Sequence, residues 1–206
     1  MPDASTLAVF ALASFLLAVV PGPAVLYIVA QAVDQGRRAG LASAAGVATG
    51  GLVHVTAAVV GLSSLLASSA TAFEAVKLVG AAYLVYLGLR RLLTKTGPVT
   101  LARERRPLRE LYRRGVVVNV LNPKTALFFL AFLPQFVNTG AGHAWAQIGA
   151  LGLIFVAIAL ISDSAYALAA GTAAGALRGR VFQNVQRWVS GSVFVGLGVA
   201  AARAER

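Results

Sequence analysis

The chain is a succession of long apolar runs separated by short polar joints. A helix needs ~20 consecutive apolar residues to cross a bilayer. Six segments meet that length, at about 5–31, 40–67, 73–93, 115–137, 144–170 and 185–202. The strands of a membrane barrel alternate apolar and polar over ~10 residues. The runs here are longer and apolar all round, so the pattern predicts an all-α integral membrane protein. The first run is too long for a cleavable signal, and residues 1–6 carry no basic residue, so it reads as a retained first span.

Composition strengthens this picture. The chain of 206 residues is 58% hydrophobic and 12% charged, and its mean hydropathy is +0.78. A soluble domain is nearer ~45–50% apolar and ~25% charged. A net charge of +11 taken alone would point to nucleic acid, but no soluble core of this size needs so much apolar sequence. With no cysteine, thiol catalysis, cysteine-held zinc and a disulfide framework are excluded. No nucleic-acid partner is expected.

Where the charges fall predicts orientation. Fourteen of the 18 Lys and Arg lie in or beside the first, third and fifth connections, with Arg37 and Arg38 in the first. The positive-inside rule puts those connections in the cytoplasm, and six spans then put both termini outside. The third connection, 94–114, is the one long hydrophilic stretch. It reads either as a topology determinant touching anionic lipid headgroups or as a docking segment for a partner.

Weak internal similarity recurs in order. An offset of 110 aligns Lys77-Leu78-Val79 with Arg187-Trp188-Val189 and Gly88 with Gly198, and an offset of 100 aligns Pro23 with Pro123. Two three-span repeats must cross the membrane in opposite senses. Inverted repeats of this kind place substrate at helices broken in matching positions. The expected architecture is therefore one six-span domain over 1–206, with repeat one at about 5–93 and repeat two at about 115–203.

The breaks carry the candidate chemistry. Pro21-Gly22-Pro23 interrupts span one. Proline lacks an N–H and clashes with the preceding turn, so carbonyls are freed where no water reaches, tolerable only inside protein or facing a cavity. It reads as a packing kink or as a site. Asn122-Pro123-Lys124 interrupts span four, with Asn119 one turn earlier on the same face. A lysine at that depth costs ~2.5–3.5 kcal/mol on insertion scales and must find a partner. It either fixes the bend by pairing with freed carbonyls or attracts a substrate carboxylate. Asp163 is the one acid deep in a span, at nearly the depth of Lys124, which makes the two candidate partners. Tyr166 follows on the same face. His54 sits mid-span on a stripe with Gly46, Gly50 and Gly61, a close-packing pattern that directs it into a helix interface, as a structural residue or a proton carrier. Asp34, beside Arg37 and Arg38, is expected to form an interfacial salt bridge.

No zincin, nucleophile-elbow or Walker motif is present, and with two histidines and no cysteine no metal is expected. The chain reads as a non-enzyme with no cofactor. Competing readings are a passive channel, a lipid-handling membrane protein, or an interaction protein acting through its basic connection.

Taken together, Pro21-Gly22-Pro23, Gly36-Arg37-Arg38-Ala39-Gly40 leading to Gly46, Gly50-Gly51 and His54, and Asn119-Val120-Leu121-Asn122-Pro123-Lys124 followed by Thr125-Ala126-Leu127-Phe128-Phe129-Leu130 and Leu133-Pro134-Gln135-Phe136 resemble the LysE/RhtB superfamily of bacterial amino-acid exporters, closest to its RhtB-type branch. The resemblance implies an inner-membrane, proton-coupled, homodimeric secondary transporter that exports amino acids or their derivatives. Carried over residue by residue, the motif covers Pro21, Gly22, Pro23, Asn122, Pro123 and Lys124. Many relatives follow Pro-Gly-Pro with Asp or Asn, whereas Ala24 stands here.

Overall fold

The computed structural model describes residues 3–68 and 106–172, with scattered helical positions within 71–93 and 188–199. The rest of expected spans three and six, much of the repeat match at 77–88 and most of the basic connection lie outside the described residues. No strand occurs among those described.

The chain opens with α1 (Ala4–Val19). Asp3 caps it, its carboxylate accepting from the Thr6 amide at 2.7 Å and from the Ser5 hydroxyl at 2.7 Å. The Thr6 amide is the main cause of an Asp3 pKa held down to about 2, with Ser5 adding to it. After a break, α2 (Pro23–Gln35) leaves at 51° to α1. Proline is tolerated at its first position because the missing N–H would have had no helical acceptor. α2 ends at Gly36, whose φ of +88° is open to glycine and strained for other residues.

α3 (Arg37–Ser68) starts at once, so the expected first connection shrinks to one residue and Arg37 and Arg38 belong to the helix. Asp34 makes no ion pair among the described residues, contrary to expectation.

α4 (Leu108–Val120) begins seven residues earlier than span four was expected to. Arg109, Arg113 and Arg114 are therefore helical residues, because Pro107 at the cap starts a helix that hydrophobicity alone would not mark. Past Leu121 the chain bends by 45° into α5 (Pro123–Leu127), a π-helical turn Phe128–Phe132 and a 3₁₀ turn Leu133–Phe136. The expected single span 115–137 is thus a jointed one. A short 3₁₀ turn, Thr139–Ala141, precedes α6 (Ala144–Thr172).

By length and apolarity α3 and α6 can each cross a membrane, and each bent pair can make one more span. α3 is central, packed along α4 and α6. The approach of α3 to α4 is close enough to require glycine: a Cβ on Gly46 would lie 2.0 Å from the Tyr112 carbonyl oxygen, and one on Gly115 2.6 Å from that of Ser43. Such contacts matter because lipid gives helices no hydrophobic reason to associate and packing must supply it. Among the described residues a Cβ on Gly61 would meet nothing within 4 Å, so Gly61 does not share the close contacts of Gly46 and Gly50. Beyond His54 lies an aromatic core in which Phe128 stacks on Phe155 at 4.3 Å and on Phe132 at 5.3 Å, with Phe10 and Phe136 closing the column.

Candidate functional site

The two breaks meet. α1 stops at Val19 because Pro21 and Pro23 supply no N–H to its last carbonyls. Side chains from distant elements satisfy them instead. The Tyr166 hydroxyl donates to the Val19 carbonyl at 2.7 Å, and the Lys124 ammonium donates to the Val20 carbonyl. Gly22 leaves room for this: a Cβ there would sit 2.9 Å from Cδ of Lys124.

The second break is built around Asn122 and Asn119. Asn122 caps α5, its Oδ1 accepting from the Lys124 amide at 3.1 Å. Asn119 is a buried hub. Its amide donates to the Val47 carbonyl at 2.7 Å, and its Oδ1 accepts from Asn122 at 3.2 Å and Thr125 at 2.9 Å. His54 Nε2 bonds the Asn119 backbone carbonyl at 2.9 Å, and its ring stacks on Phe129. Helix α4 ends with its polar groups satisfied from three sides, as backbone at membrane depth requires.

Between the breaks lies a cavity of about 40 Å³. Its polar lining is Asn119, Asn122, Lys124, Thr125 and Asp163, and Ala18, Gly22, Ala24, Val25, Val47, Phe155 and Ala159 complete the wall. Lys124 and Asp163 are 7% and 5% exposed. No ion pair within 4 Å joins them, but their charges interact across the cavity. The two face one cavity without touching: the lysine is on the Val20 carbonyl, and the Asp163 carboxylate has no hydrogen bond or ion pair among the described residues. Two opposite charges facing one cavity can engage a molecule that carries both a carboxylate and an ammonium.

Of the residues singled out from sequence, Gly22, Asn119, Asn122, Lys124 and Asp163 line the cavity. Pro21 is buried in the first break, and Pro23 and Pro123 start the helices after the two breaks. His54 and Tyr166 stand behind the lining and brace it. Thr125 and Phe155 line the cavity without having been singled out. Phe155 was legible, since Phe155, Ala159 and Asp163 recur every four residues on one face of α6. Gln147 was not: it ties the 138–143 turn to α6 through three bonds of 2.9 Å to Asn138 and Gly142.

A family model described as LysE type translocator matches residues 15–205. Over 198 residues the chain is 32% identical to a homoserine/homoserine lactone efflux protein of Salmonella typhimurium, covering 95% of each. It is 29% identical to an uncharacterized membrane protein of Vibrio cholerae, covering 95% of this chain and 96% of the relative. Over 132 residues it is 31% identical to a leucine efflux protein of Salmonella choleraesuis, covering 63% and 62%. No solved structure matches. Matched nearly from end to end by the family model and by full-length relatives, the chain belongs to the LysE type translocators.

Proposed function

We propose that this protein exports amino acids or amino-acid derivatives from the cytoplasm by proton antiport, as a six-span inner-membrane carrier of two inverted three-helix repeats with both termini outside. The observation that carries the reading is the pair Lys124 and Asp163, buried, oppositely charged and facing one cavity where two broken helices meet. The efflux activities named for its relatives agree with it.

The substrate's ammonium goes to Asp163, the one carboxylate among the described residues that line the cavity. Its carboxylate goes to Lys124, which leaves Val20 to meet it. A buried carboxylate without a partner is costly, and either a proton or a substrate ammonium relieves it. The two compete for one group, so loading one releases the other, which is antiport. Ligand sites are typically ~300–1,000 Å³, and 40 Å³ holds only a few waters. The arrangement is therefore a closed state that must open to load.

Efflux of radiolabelled homoserine or leucine from proteoliposomes under an imposed pH gradient tests this. Lys124→Ala and Asp163→Asn should each slow saturable efflux by more than about tenfold, since losing one partner of a buried charge contact costs ~2–5 kcal/mol. Wild-type rates from both variants would remove the cavity from the mechanism, and rates indifferent to the gradient would remove the coupling.

A further inference from the structure

A second and larger recess lies away from the substrate cavity. It is an open cleft of about 850 Å³ between α2 and α4 at the arginine-rich end of α4. Arg109, Glu110, Arg113 and Arg114 line it, then Val117 and Val118, with Tyr27 from α2 opposite. Tyr27 is fixed there by its hydroxyl, which donates to the Leu111 carbonyl at 2.8 Å.

Residues four apart share a helix face, so Arg109, Arg113 and Val117 form one stripe and Glu110, Arg114 and Val118 the next. Both stripes change from arginine to valine at the same level. The face is thus amphipathic along the helix axis instead of around it, and the change takes place within about 12 Å at 1.5 Å per residue. That is the layout of a lipid, with a charged head above an apolar chain. Glu110 does not cancel the positive charge, because Arg114 holds it at 2.8 Å and Arg106 at 3.5 Å. Arg109 and Arg113 are exposed and make no hydrogen bond or ion pair among the described residues. The neighbouring stretch 94–105 is no counter-charge, since it carries Lys95, Arg103 and Arg105 against Glu104 alone.

We propose that this cleft is a binding site for an anionic glycerophospholipid, its phosphate held by the Arg109 and Arg113 guanidiniums and its acyl chain lying on Val117 and Val118. Guanidinium forks match phosphate oxygens in pairs, and basic pockets between membrane helices are the general setting for lipid headgroups. The site needs only that α4 sits in a membrane, so it stands or falls apart from the efflux mechanism.

The test is a thermal-unfolding titration of the purified full-length protein in neutral detergent. The probes are phosphatidylglycerol, phosphatidylcholine and water-soluble glycerol 3-phosphate, and the variants are Arg109→Gln/Arg113→Gln and Arg203→Gln/Arg206→Gln, which remove equal charge. Phosphatidylglycerol alone should stabilise the wild type and the Arg203/Arg206 variant. Its apparent affinity should fall about fivefold per arginine, about thirtyfold in all, in the Arg109/Arg113 variant. Equal affinity in both variants would overturn the site, and full stabilisation by glycerol 3-phosphate would show a soluble-anion site instead. If the Gln pair does not fold, Val117→Ser tests the acyl half: weaker phosphatidylglycerol stabilisation upholds the proposal and an unchanged response overturns it.

Discussion

Lys124 and Asp163 share a cavity, yet the lysine donates to a carbonyl of another helix. The first proline pair creates the acceptor and the second break supplies the donor, so each defect satisfies the other. Asn119 does the same work inside one segment, with three side-chain bonds to Val47, Asn122 and Thr125. Removing it takes one bond from each of these three groups. Single hydrogen bonds in a membrane protein average about 0.6 kcal/mol, and bonds in general contribute up to about 1.5. Asn119→Ala should therefore cost about 2–4 kcal/mol, read as a lower unfolding midpoint in detergent. A midpoint within error of wild type would show that the hub is not a stabilising one. His54 should stay on the Asn119 carbonyl in this variant, since that bond uses the backbone.

Helices α3 and α4 meet along glycines, and the contact is asymmetric along α3. Gly46 and Gly50 lie under the α4 backbone, whereas Gly61 has no such neighbour among the described residues. Overpacking a close interface costs about 1–3 kcal/mol. Gly46→Val should accordingly lower the unfolding midpoint and Gly61→Ala should leave it unchanged, a contrast that circular dichroism melts of both variants in one detergent will resolve. Equal effects would contradict the packing described here. The glycine spacing on α3 was legible because four-residue spacing repeats on one face. Where it stopped was not legible, since no local rule says which glycine of a helix has a partner backbone beside it. The jointed course of α4, α5 and the π and 3₁₀ turns was half legible. Pro123 announces the joint and Pro134, which offers no N–H to the Leu130 carbonyl, the irregular turns, but the packing of Phe128 against Phe155 and Phe10 is encoded by no local pattern.

At the scale of the molecule, the cavity is too small for an amino acid, so transport requires the breaks to part. The absence of native cysteine makes this directly measurable. A single cysteine at Ala159, on the cavity wall, should react slowly with a small membrane-impermeant thiosulfonate and faster when transported substrate is present. Labelling that is fast at the outset and indifferent to substrate would show that the closed arrangement is not the resting one. The sequence by itself determined the membrane class, the two break positions, and the residue types that a buried charge site needs. It could do so because each follows from a local rule: the length of an apolar run, the missing N–H of proline, the cost of a charge in hydrocarbon. Only the tertiary structure decided that Lys124 is bonded to Val20 and not to Asp163, that Tyr166 and His54 brace the site from behind, and that Arg109, Arg113 and Val117 line a cleft beside Tyr27. Those outcomes depend on which helix lies within a few ångströms of which, and that is set by the packing of segments up to a hundred residues apart.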